Sequence, residues 1–289
     1  MDVFLQQLVN GLSTGSLYAM VAVGLTLIFG VLELINFAHG EFFMVGAFAL
    51  YLLKVKLGIP YLPAILVTVA IMALIGGVTR RWLGLQPRKP FETMILLTLG
   101  ASAILQNGAL AIWGPSFHTV PTVLAQTPRV FFGIHISDQR LLLILFAPIL
   151  FGLLEWYVRH TKPGKAMRAV AQNNHAASVV GININYICSL TFVMGVGLAG
   201  LGGALVAPII SAHPRMGVGV LMKCFAVIVM GGRGNMRGAI ISAMIIGVVE
   251  SLTTQYISLA FKDVFAFVAL IMVLIFKPEG LFGRKAGLV

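Results

Sequence analysis

Charged residues are scarce in this 289-residue chain: they make up 10% of it, whereas hydrophobic residues make up 59%. Soluble globular domains contain about 25% charged residues, so this chain lacks the polar surface that a soluble protein requires. Apolar runs of about 20 residues, long enough to cross a bilayer as a helix, recur along the sequence. The composition therefore predicts an integral membrane protein.

Cysteine is nearly absent as well. The chain has two cysteines, Cys188 and Cys224, and each lies within an apolar run. This disfavours a disulfide framework and a cysteine-based metal site. The sequence also lacks the H-E-x-x-H and G-x-S-x-G patterns of hydrolases. Gly164 does not belong to a P-loop, because Arg159 stands where that motif requires a glycine. We expect no catalytic residues, no metal and no cofactor, and any ATP must be hydrolysed by another subunit.

Positive charge is concentrated between the apolar runs. The chain has 20 lysines and arginines against nine acidic residues, an excess that in a soluble protein would suggest nucleic acid. Here the basic residues form clusters at the ends of apolar runs, near 80–89, 159–168, 233–237 and 277–285. Basic loops mark the cytoplasmic side of a membrane protein. We therefore predict a cytoplasmic carboxyl terminus, a lipid environment and no nucleic-acid partner.

The apolar runs predict an all-α fold, a polytopic transmembrane helical bundle in a single domain over residues 1–289. The predicted helices are 5–30, 41–55, 61–80, 93–113, 140–158, 186–211, 218–231, 238–257 and 264–276. Nine crossings would place the amino terminus outside and make 114–139 the longest outer loop, although eight or ten crossings are also compatible with the pattern. Asp2 and the lack of a basic start argue against a removable signal peptide.

Small residues recur at every fourth position in three of these helices, which gives each helix one flat face. Such faces allow helix backbones to approach closely in lipid, so we predict that they are packing surfaces. They are Gly11, Gly15 and Ala19; Gly195, Ala199, Gly203 and Ala207; and Ala239, Ala243, Gly247 and Ser251.

Two helices are interrupted by polar residues, near 33–41 and 211–223. Each interruption contains an Ala-His pair, Ala38-His39 in the first and Ala212-His213 in the second. In many transporters, broken helices meet near the middle of the membrane and present their ends to the substrate. We predict broken or re-entrant helices at both places. Ordinary interfacial turns have the same polar composition and remain the alternative.

Polar side chains at membrane depth are costly unless they are paired or face a cavity. We therefore predict that Asn36, His39 and Glu41 line a translocation path. Lys223 and Glu250 are predicted to form an ion pair near the second broken helix, either as part of that path or only to reduce the cost of burying two charges.

The segment 159–181 predicts one cytoplasmic helix between two membrane helices. Thr161 can cap its start, Pro163 suits the first turn, and Gly181 suits the position after its end. A helix of this kind can dock in a groove of a partner protein, whereas a basic interfacial loop would have similar composition. Its expected docking face is a thin apolar surface of Ala166, Ala169, Val170, Ala176 and Ala177.

Four motifs together resemble the branched-chain amino-acid ABC transporter permease family, in particular the shorter, first-type permease of the pair. The most specific is the coupling-helix motif of that family, carried here by Thr161, Pro163, Gly164, Ala166, Arg168, Ala169, Asn173, Ala177 and Gly181. The other three are Asn36-Phe37-Ala38-His39-Gly40-Glu41, the glycines of 231–239, and Lys277-Pro278-x-Gly280-Leu281-Phe282-Gly283. They occur in the family's order over nearly the whole chain.

The resemblance implies a permease of the bacterial inner (plasma) membrane that imports branched-chain or related hydrophobic amino acids at the expense of ATP. It implies assembly with a second homologous permease, two ATPase subunits and a periplasmic substrate-binding protein, with the 161–181 helix in a cleft of an ATPase. The alternatives are a member of the same family that imports urea, an amide or an aromatic acid, and a stand-alone secondary transporter.

Overall fold

The computed structural model describes residues 2–85, 90–122, 124, 128–131, 133–232 and 234–283. All nine predicted membrane helices are present, and two further helices form the segment after the fifth one. In chain order the helices are α1 (Asp2–Leu32), α2 (His39–Tyr51), α3 (Tyr61–Leu83), α4 (Phe91–Trp113), α5 (Asp138–His160), α6 (Lys162–Gln172), α7 (Asn174–Val179), α8 (Ile184–Val206), α9 (Met216–Gly231), α10 (Met236–Tyr256) and α11 (Lys262–Phe276).

Several helices begin two residues before the predicted position because a polar residue caps them. Asn183 accepts a hydrogen bond from the Tyr186 N–H at the start of α8, at 3.1 Å. Asn235 caps α10 in the same way through the Gly238 N–H, at 3.0 Å. Side-chain oxygens of this kind satisfy the free N–H groups of a first turn, so these helices start at their caps rather than at the first apolar residue.

The structure differs from the prediction at the end of α2, at the start of α11 and in the 114–139 stretch. A five-residue π-helical stretch, Leu52–Lys56, continues α2, and a 3₁₀ turn, Leu259–Phe261, precedes α11. The stretch expected to be a loop contains a small antiparallel hairpin of β1 (Pro128–Phe131) and β2 (Ile134–Ser137). The Gln6 side chain binds both backbone groups of His135, at 2.7 and 2.8 Å, and so attaches this hairpin to α1.

Seven of the described helices are long and apolar enough to cross a membrane: α1, α3, α4, α5, α8, α10 and α11 with its 3₁₀ turn. The chain is therefore a multi-pass membrane protein. The two remaining apolar helices, α2 and α9, are shorter, and they are the helices that follow the two polar interruptions. The core is built by α1, α2 and α8, whereas one side of α3, α4, α5 and α11 is exposed.

The small-residue faces are packing surfaces, as predicted. A side chain on Gly11 of α1 would lie 2.6 Å from the Val248 Cα of α10, which is closer than atoms can approach. Gly24 and Gly195 bring α1 against α8 in the same way. A Cβ added to Gly24 would lie 2.7 Å from the Gly195 carbonyl oxygen, and a Cβ added to Gly195 would lie 2.7 Å from the Gly24 carbonyl oxygen. Because no side chain separates these backbones, the helices gain dispersion contacts along their length.

Gly203 and Gly197 of α8 provide a matched test of this packing. A Cβ on Gly203 would overlap the Phe43 carbonyl oxygen of α2, whereas a Cβ on Gly197 would have no atom within 4 Å. Gly203→Ala is expected to destabilise the protein by about 1–3 kcal/mol through overpacking, and Gly197→Ala to stabilise it by up to about 1 kcal/mol through helix propensity. Thermal unfolding in detergent, followed by size-exclusion fluorescence, measures both; equal effects would contradict this account of the crossing.

Candidate functional site

The first interruption returns the chain into the interior of the bundle. After α1 ends at Leu32, Glu33 adopts a left-handed conformation with φ +53°, which is strained for a residue other than glycine. The chain then runs without helical structure to His39, whose Nε2 lies 3.0 Å from the Val21 carbonyl oxygen. Val21 is about 16 Å from the end of α1 at 1.5 Å per residue. The short helix α2 therefore begins deep inside the protein.

The second interruption meets the first. Residues 207–215 connect α8 to α9, and the amino-terminal turn of α9 lies against that of α2 at Gly217 and Gly40. A Cβ on Gly40 would lie 2.8 Å from the Leu221 Cβ and would overlap the Gly217 carbonyl oxygen. Phe37 and Phe225 continue the contact, with ring centroids 5.4 Å apart. Two helix amino termini, each with the positive end of a helix dipole, thus lie side by side, which is the arrangement expected from broken helices.

The polar residues of the first interruption are completely buried: Asn36, His39 and Glu41 are each 0% exposed. Asn36 Oδ1 accepts a hydrogen bond from the Ala38 N–H at 3.1 Å. His39 donates from Nε2 to the Val21 carbonyl, since a carbonyl oxygen can only accept, and its Nδ1 is therefore an acceptor when the ring is neutral. Glu41 Oε1 accepts from the Ser102 hydroxyl of α4 at 3.3 Å.

Each of these three side chains keeps one polar atom that has no hydrogen-bond partner among the described residues. These atoms are Asn36 Nδ2, His39 Nδ1 and Glu41 Oε2. Buried polar groups are nearly always paired, so unused donors and acceptors at a junction of two helix ends indicate a place where a polar solute or water can bind.

Lys223 and Glu250 form the predicted ion pair, with 2.6 Å between Lys223 Nζ and Glu250 Oε1. Both side chains are about nine-tenths buried, with 11% and 9% exposed. The Tyr18 hydroxyl, from α1, donates to Glu250 Oε2 at 2.7 Å and accepts from Lys223 Nζ at 2.8 Å. Both carboxylate oxygens of Glu250 are therefore held in place.

Two further charged residues, both from the start of α11, complete this network. Asp263 Oδ1 lies 3.0 Å from Lys223 Nζ, and Lys262 Nζ lies 3.8 Å from Glu250 Oε1. The sequence interpretation missed Tyr18 and Asp263. Asp263 could have been found, because it is an acidic residue at the edge of an apolar run. Tyr18 lies in the middle of an apolar run, and no sequence pattern marks it.

The segment after α5 is two helices rather than the single helix predicted. Thr161 caps α6 as expected, accepting from the Gly164 N–H at 3.1 Å, and Pro163 lies in the first turn. Asn173 then leaves the helical conformation, with φ −159° and ψ 108°, and caps α7 by accepting from the Ala176 N–H at 2.9 Å. Gly181 follows α7 with φ +84°, in agreement with its predicted position. The Asn173 side chain competes with the helix for backbone N–H groups, and this breaks the helix.

The expected docking face was wrong in part. Gly164, Val170 and Ala177 are buried against the chain's own bundle, together with Met167, and Ala166 and Ala169 pack partly against it. A Cβ on Gly164 would lie 2.6 Å from the Val158 Cα of α5. The free surface instead presents Ala176, Arg168 and the end of α7, where Val179 and Val180 are 76% and 74% exposed. The predicted apolar face therefore holds the segment against the bundle, and the exposed surface of the segment is the end of α7.

The end of the bundle next to this segment is held together by ion pairs. Glu155 of α5 forms ion pairs at 2.7 Å with both Arg159 and Arg237 of α10. The glycines of 231–239 form a turn before α10, with Gly232 at φ +98° and Gly234 at φ +73°, values that glycine adopts readily. Arg233, which belongs to the basic cluster at 233–237, lies outside the described residues.

The carboxyl-terminal motif lies directly on the glycine turn. The Leu281 N–H donates to the Met230 carbonyl at 2.7 Å, and the Phe282 N–H donates to the Gly231 carbonyl at 3.2 Å. Asn235, the cap of α10, also donates to the Phe282 carbonyl at 3.0 Å. Two motifs that are 50 residues apart in sequence thus form one structural unit, which explains why both are glycine-rich.

The two Ala-His pairs have different environments. His39 is fully buried, whereas His213 is partly exposed, with its ring 4.9 Å from that of Phe117. Partial burial lowers the pKa of the His213 imidazole. Next to it, Ala212 and His118 exchange two backbone hydrogen bonds of 2.8 Å. The second interruption is therefore attached to the outer stretch rather than enclosed by the bundle.

Comparison with known proteins identifies the family. Residues 7–274 match the family described as the permease component of the branched-chain amino acid transport system. The chain is 32% identical to the high-affinity branched-chain amino acid transport system permease protein LivH of Escherichia coli strain K12, and 31% identical to BraD, the protein of the same description in Pseudomonas aeruginosa PAO1; each match covers 97% of this chain and 96% of the relative.

A solved structure supports the fold. It is a chain of PsaBC from Streptococcus pneumoniae in complex with Fab, at a TM-score of 0.51 and 15% identity, with 96% of this chain and 94% of that chain covered. The family match over most of the chain, the two relatives and the meeting of the broken helices agree with one another. This chain belongs to the family of branched-chain amino acid transport permeases.

Proposed function

We propose that this chain is the permease subunit of an ATP-driven importer that carries branched-chain or related hydrophobic amino acids across a bacterial inner membrane. The observation that carries the proposal is the capped segment of α6 and α7, which is fixed to the bundle on one side and presents an apolar tip on the other. The chain has no P-loop of its own, so a projecting element of this kind suits a permease that receives its energy from a separate ATPase.

The proposed assembly contains a second homologous permease, two ATPase subunits and a periplasmic substrate-binding protein. Residues Thr161 to Gly181 would occupy a cleft of one ATPase, and closure of the ATPase pair would move α5 and α8, between which the segment is connected. Glu155 and Arg237 would transfer that movement to α10 through their ion pair. The bundle would then open alternately to the two sides of the membrane.

The proposed path passes the junction of α2 and α9. Asn36, His39 and Glu41 offer polar atoms without partners. Lys223, about a turn and a half further along α9, and Glu250 of α10 add two charges. Helix amino termini stabilise anionic groups, so this junction suits the carboxylate of an amino acid. The apolar side chain of the substrate would face the surrounding core.

Reconstitution in liposomes tests the proposed function. The permease pair, the ATPases and the binding protein are expected to import radiolabelled leucine only when ATP is present on the side of the membrane that carries the ATPases. Import should stop when the catalytic glutamate of the ATPase is replaced by glutamine. Uptake by this chain alone, driven by an ion gradient and indifferent to ATP, would instead establish a secondary transporter. Import of urea, an amide or an aromatic acid without leucine import would reassign the substrate within the family.

His39→Ala is expected to impair translocation more than assembly. The substitution removes the hydrogen bond to Val21 and the free Nδ1 acceptor, and loss of one buried polar contact corresponds to about a tenfold decrease in uptake. Co-purification of the subunits and initial uptake rates are measured together. His135→Ala, on the exposed surface of β2, is the matched control. Unchanged uptake kinetics with intact assembly would show that His39 only fills space.

A further inference from the structure

The side chain of Asp263 is 57% exposed, and the position of this residue along α11 decides what the carboxylate is exposed to. It lies thirteen residues from Phe276 at the end of α11, which corresponds to about 20 Å along a helix. Glu250 lies about 21 Å from the start of α10 by the same rise. The hydrocarbon layer is about 30 Å thick, so Glu250 lies within it. Asp263 lies four residues after the start of the candidate span at Leu259, which is just inside the edge of the layer.

Even just inside the hydrocarbon layer, a carboxylate is stable only where water or protein reaches it. The side of α11 that carries Asp263 therefore faces water or another protein subunit rather than lipid. The neighbouring exposed residues of α9, Val218, Gly219 and Met222, extend this surface toward the junction of the two broken helices.

The contacts of Lys223 are unequal. Its ammonium group has three N–H donors: it donates to Glu250 at 2.6 Å and to Tyr18 at 2.8 Å, and it makes an ion-pair contact with Asp263 at 3.0 Å. Glu250 is buried and held on both oxygens, whereas Asp263 is exposed and contacts Lys223 through one oxygen. Of the three, Asp263 is the contact that an incoming carboxylate can replace at the lowest cost.

The network has no net charge, since Lys223 and Lys262 balance Glu250 and Asp263. A solute with one positive and one negative group can enter between Lys223 and Asp263 and leave every charge paired. An anion would displace Asp263 and leave it unpaired, and a cation would leave Lys223 with one partner fewer. The network therefore favours a zwitterion over either ion alone.

We infer that Asp263 and Lys223 separate to receive the charged end of an amino acid, whose carboxylate takes the place of Asp263 on Lys223 and whose ammonium group binds Asp263. Tyr18 and Glu250 hold Lys223 in position during the exchange. The inference rests on the proposed function and adds to it the residues that recognise the zwitterion.

Transport kinetics provide the first test. Asp263→Asn keeps the shape of the side chain but cannot form an ion pair with an ammonium group, so the KM for leucine uptake is expected to rise about tenfold or more. Asp263→Glu should recover most of the loss. Asp138→Asn, an aspartate paired with Arg129 at the outer end of α5, is the matched control and should change KM less than about twofold. A KM for Asp263→Asn equal to that of the control overturns the inference, whereas absence of ATP-driven leucine uptake by the wild-type complex overturns the proposed function itself.

Cysteine labelling tests the same surface without changing the network. Phe267 lies one turn below Asp263 on the same side of α11, and Met272 lies on the opposite side; they are 37% and 51% exposed. The native Cys188 and Cys224 are both buried, so they give little background. In the assembled complex, Phe267→Cys is expected to react with a charged, membrane-impermeant thiol reagent, and Met272→Cys is not.

Ligand protection then separates the zwitterion from its parts. Leucine should slow the labelling of Phe267→Cys more than leucinamide, which lacks the carboxylate, or 4-methylpentanoate, which lacks the ammonium group, at the same concentration. Failure of Phe267→Cys to react, as for Met272→Cys, would place this side of α11 in lipid and overturn the inference. Equal protection by all three compounds would overturn zwitterion recognition.

Discussion

Lys223→Met is expected to destabilise the bundle by about 3–5 kcal/mol, because it leaves Glu250 buried without its ammonium partner. Methionine has nearly the same length and fits the space of the lysine stem, so the loss would arise from charge rather than from a cavity. Tyr18 would remain as a hydrogen-bond donor to Glu250 and Lys262 would stay 3.8 Å away, but neither replaces a contact of 2.6 Å. Thermal unfolding of the purified protein in detergent measures the effect.

The double variant Lys223→Met with Glu250→Gln separates charge from packing. It removes both charges, and neutral replacement of a buried pair often restores stability, so most of the lost stability should return while leucine uptake stays defective. Lys56→Met, at an exposed position of the π-helical stretch after α2, is the control and should change stability by less than about 0.5 kcal/mol. If Lys223→Met unfolds at the same temperature as this control, the ion pair does not stabilise the bundle.

Replacement of Val179 and Val180 by aspartate is expected to abolish the coupling of ATP hydrolysis to uptake. The two side chains are about three-quarters exposed at the end of α7, and a partner groove would bury them. Two carboxylates placed in that groove would be desolvated without partners, and loss of an interface anchor of this kind weakens binding by about thirtyfold or more.

Co-purification of the ATPase and the ratio of ATP hydrolysed to leucine imported measure this loss. Val130→Asp, at a position that is 60% exposed on β1, introduces one such carboxylate at the opposite end of α5 and serves as the control. Normal ATPase content and normal uptake in the Val179→Asp, Val180→Asp variant would remove α7 from the docking surface. Substitution of Gly164 is not a test of docking, because a side chain there would collide with α5.

Much of the fold could be predicted because hydropathy and capping act locally. The positions of nine apolar helices follow from apolar runs, and the cap at Thr161 and the place of Gly181 after the segment follow from residue type. The pair of Lys223 and Glu250 follows from the cost of isolated charges in lipid. Each of these depends on a short stretch of sequence or on a strong energetic penalty. The structure confirms all of them.

What could not be predicted depends on contacts between distant segments. The apolar residues of α6 and α7 look the same in sequence whether they face the bundle or a partner, and only the packing of both helices against the chain's own bundle shows that Val170 and Ala177 face inward. Asn173 can lie within a helix or cap a new one, so the break was not visible. Tyr18 reaches Glu250 across 232 positions of sequence, and no local pattern reports such a contact.

The backbone link between His118 and Ala212 has a consequence for how the sequence of this protein can change. The two residues exchange their N–H and carbonyl groups at 2.8 Å, which joins the outer stretch to the start of the second broken helix by peptide groups alone. A link of this kind does not depend on which side chains stand at the two positions. Either side chain can therefore be replaced by any residue except proline, which has no N–H, while the connection from the 114–139 stretch to the start of α9 is kept.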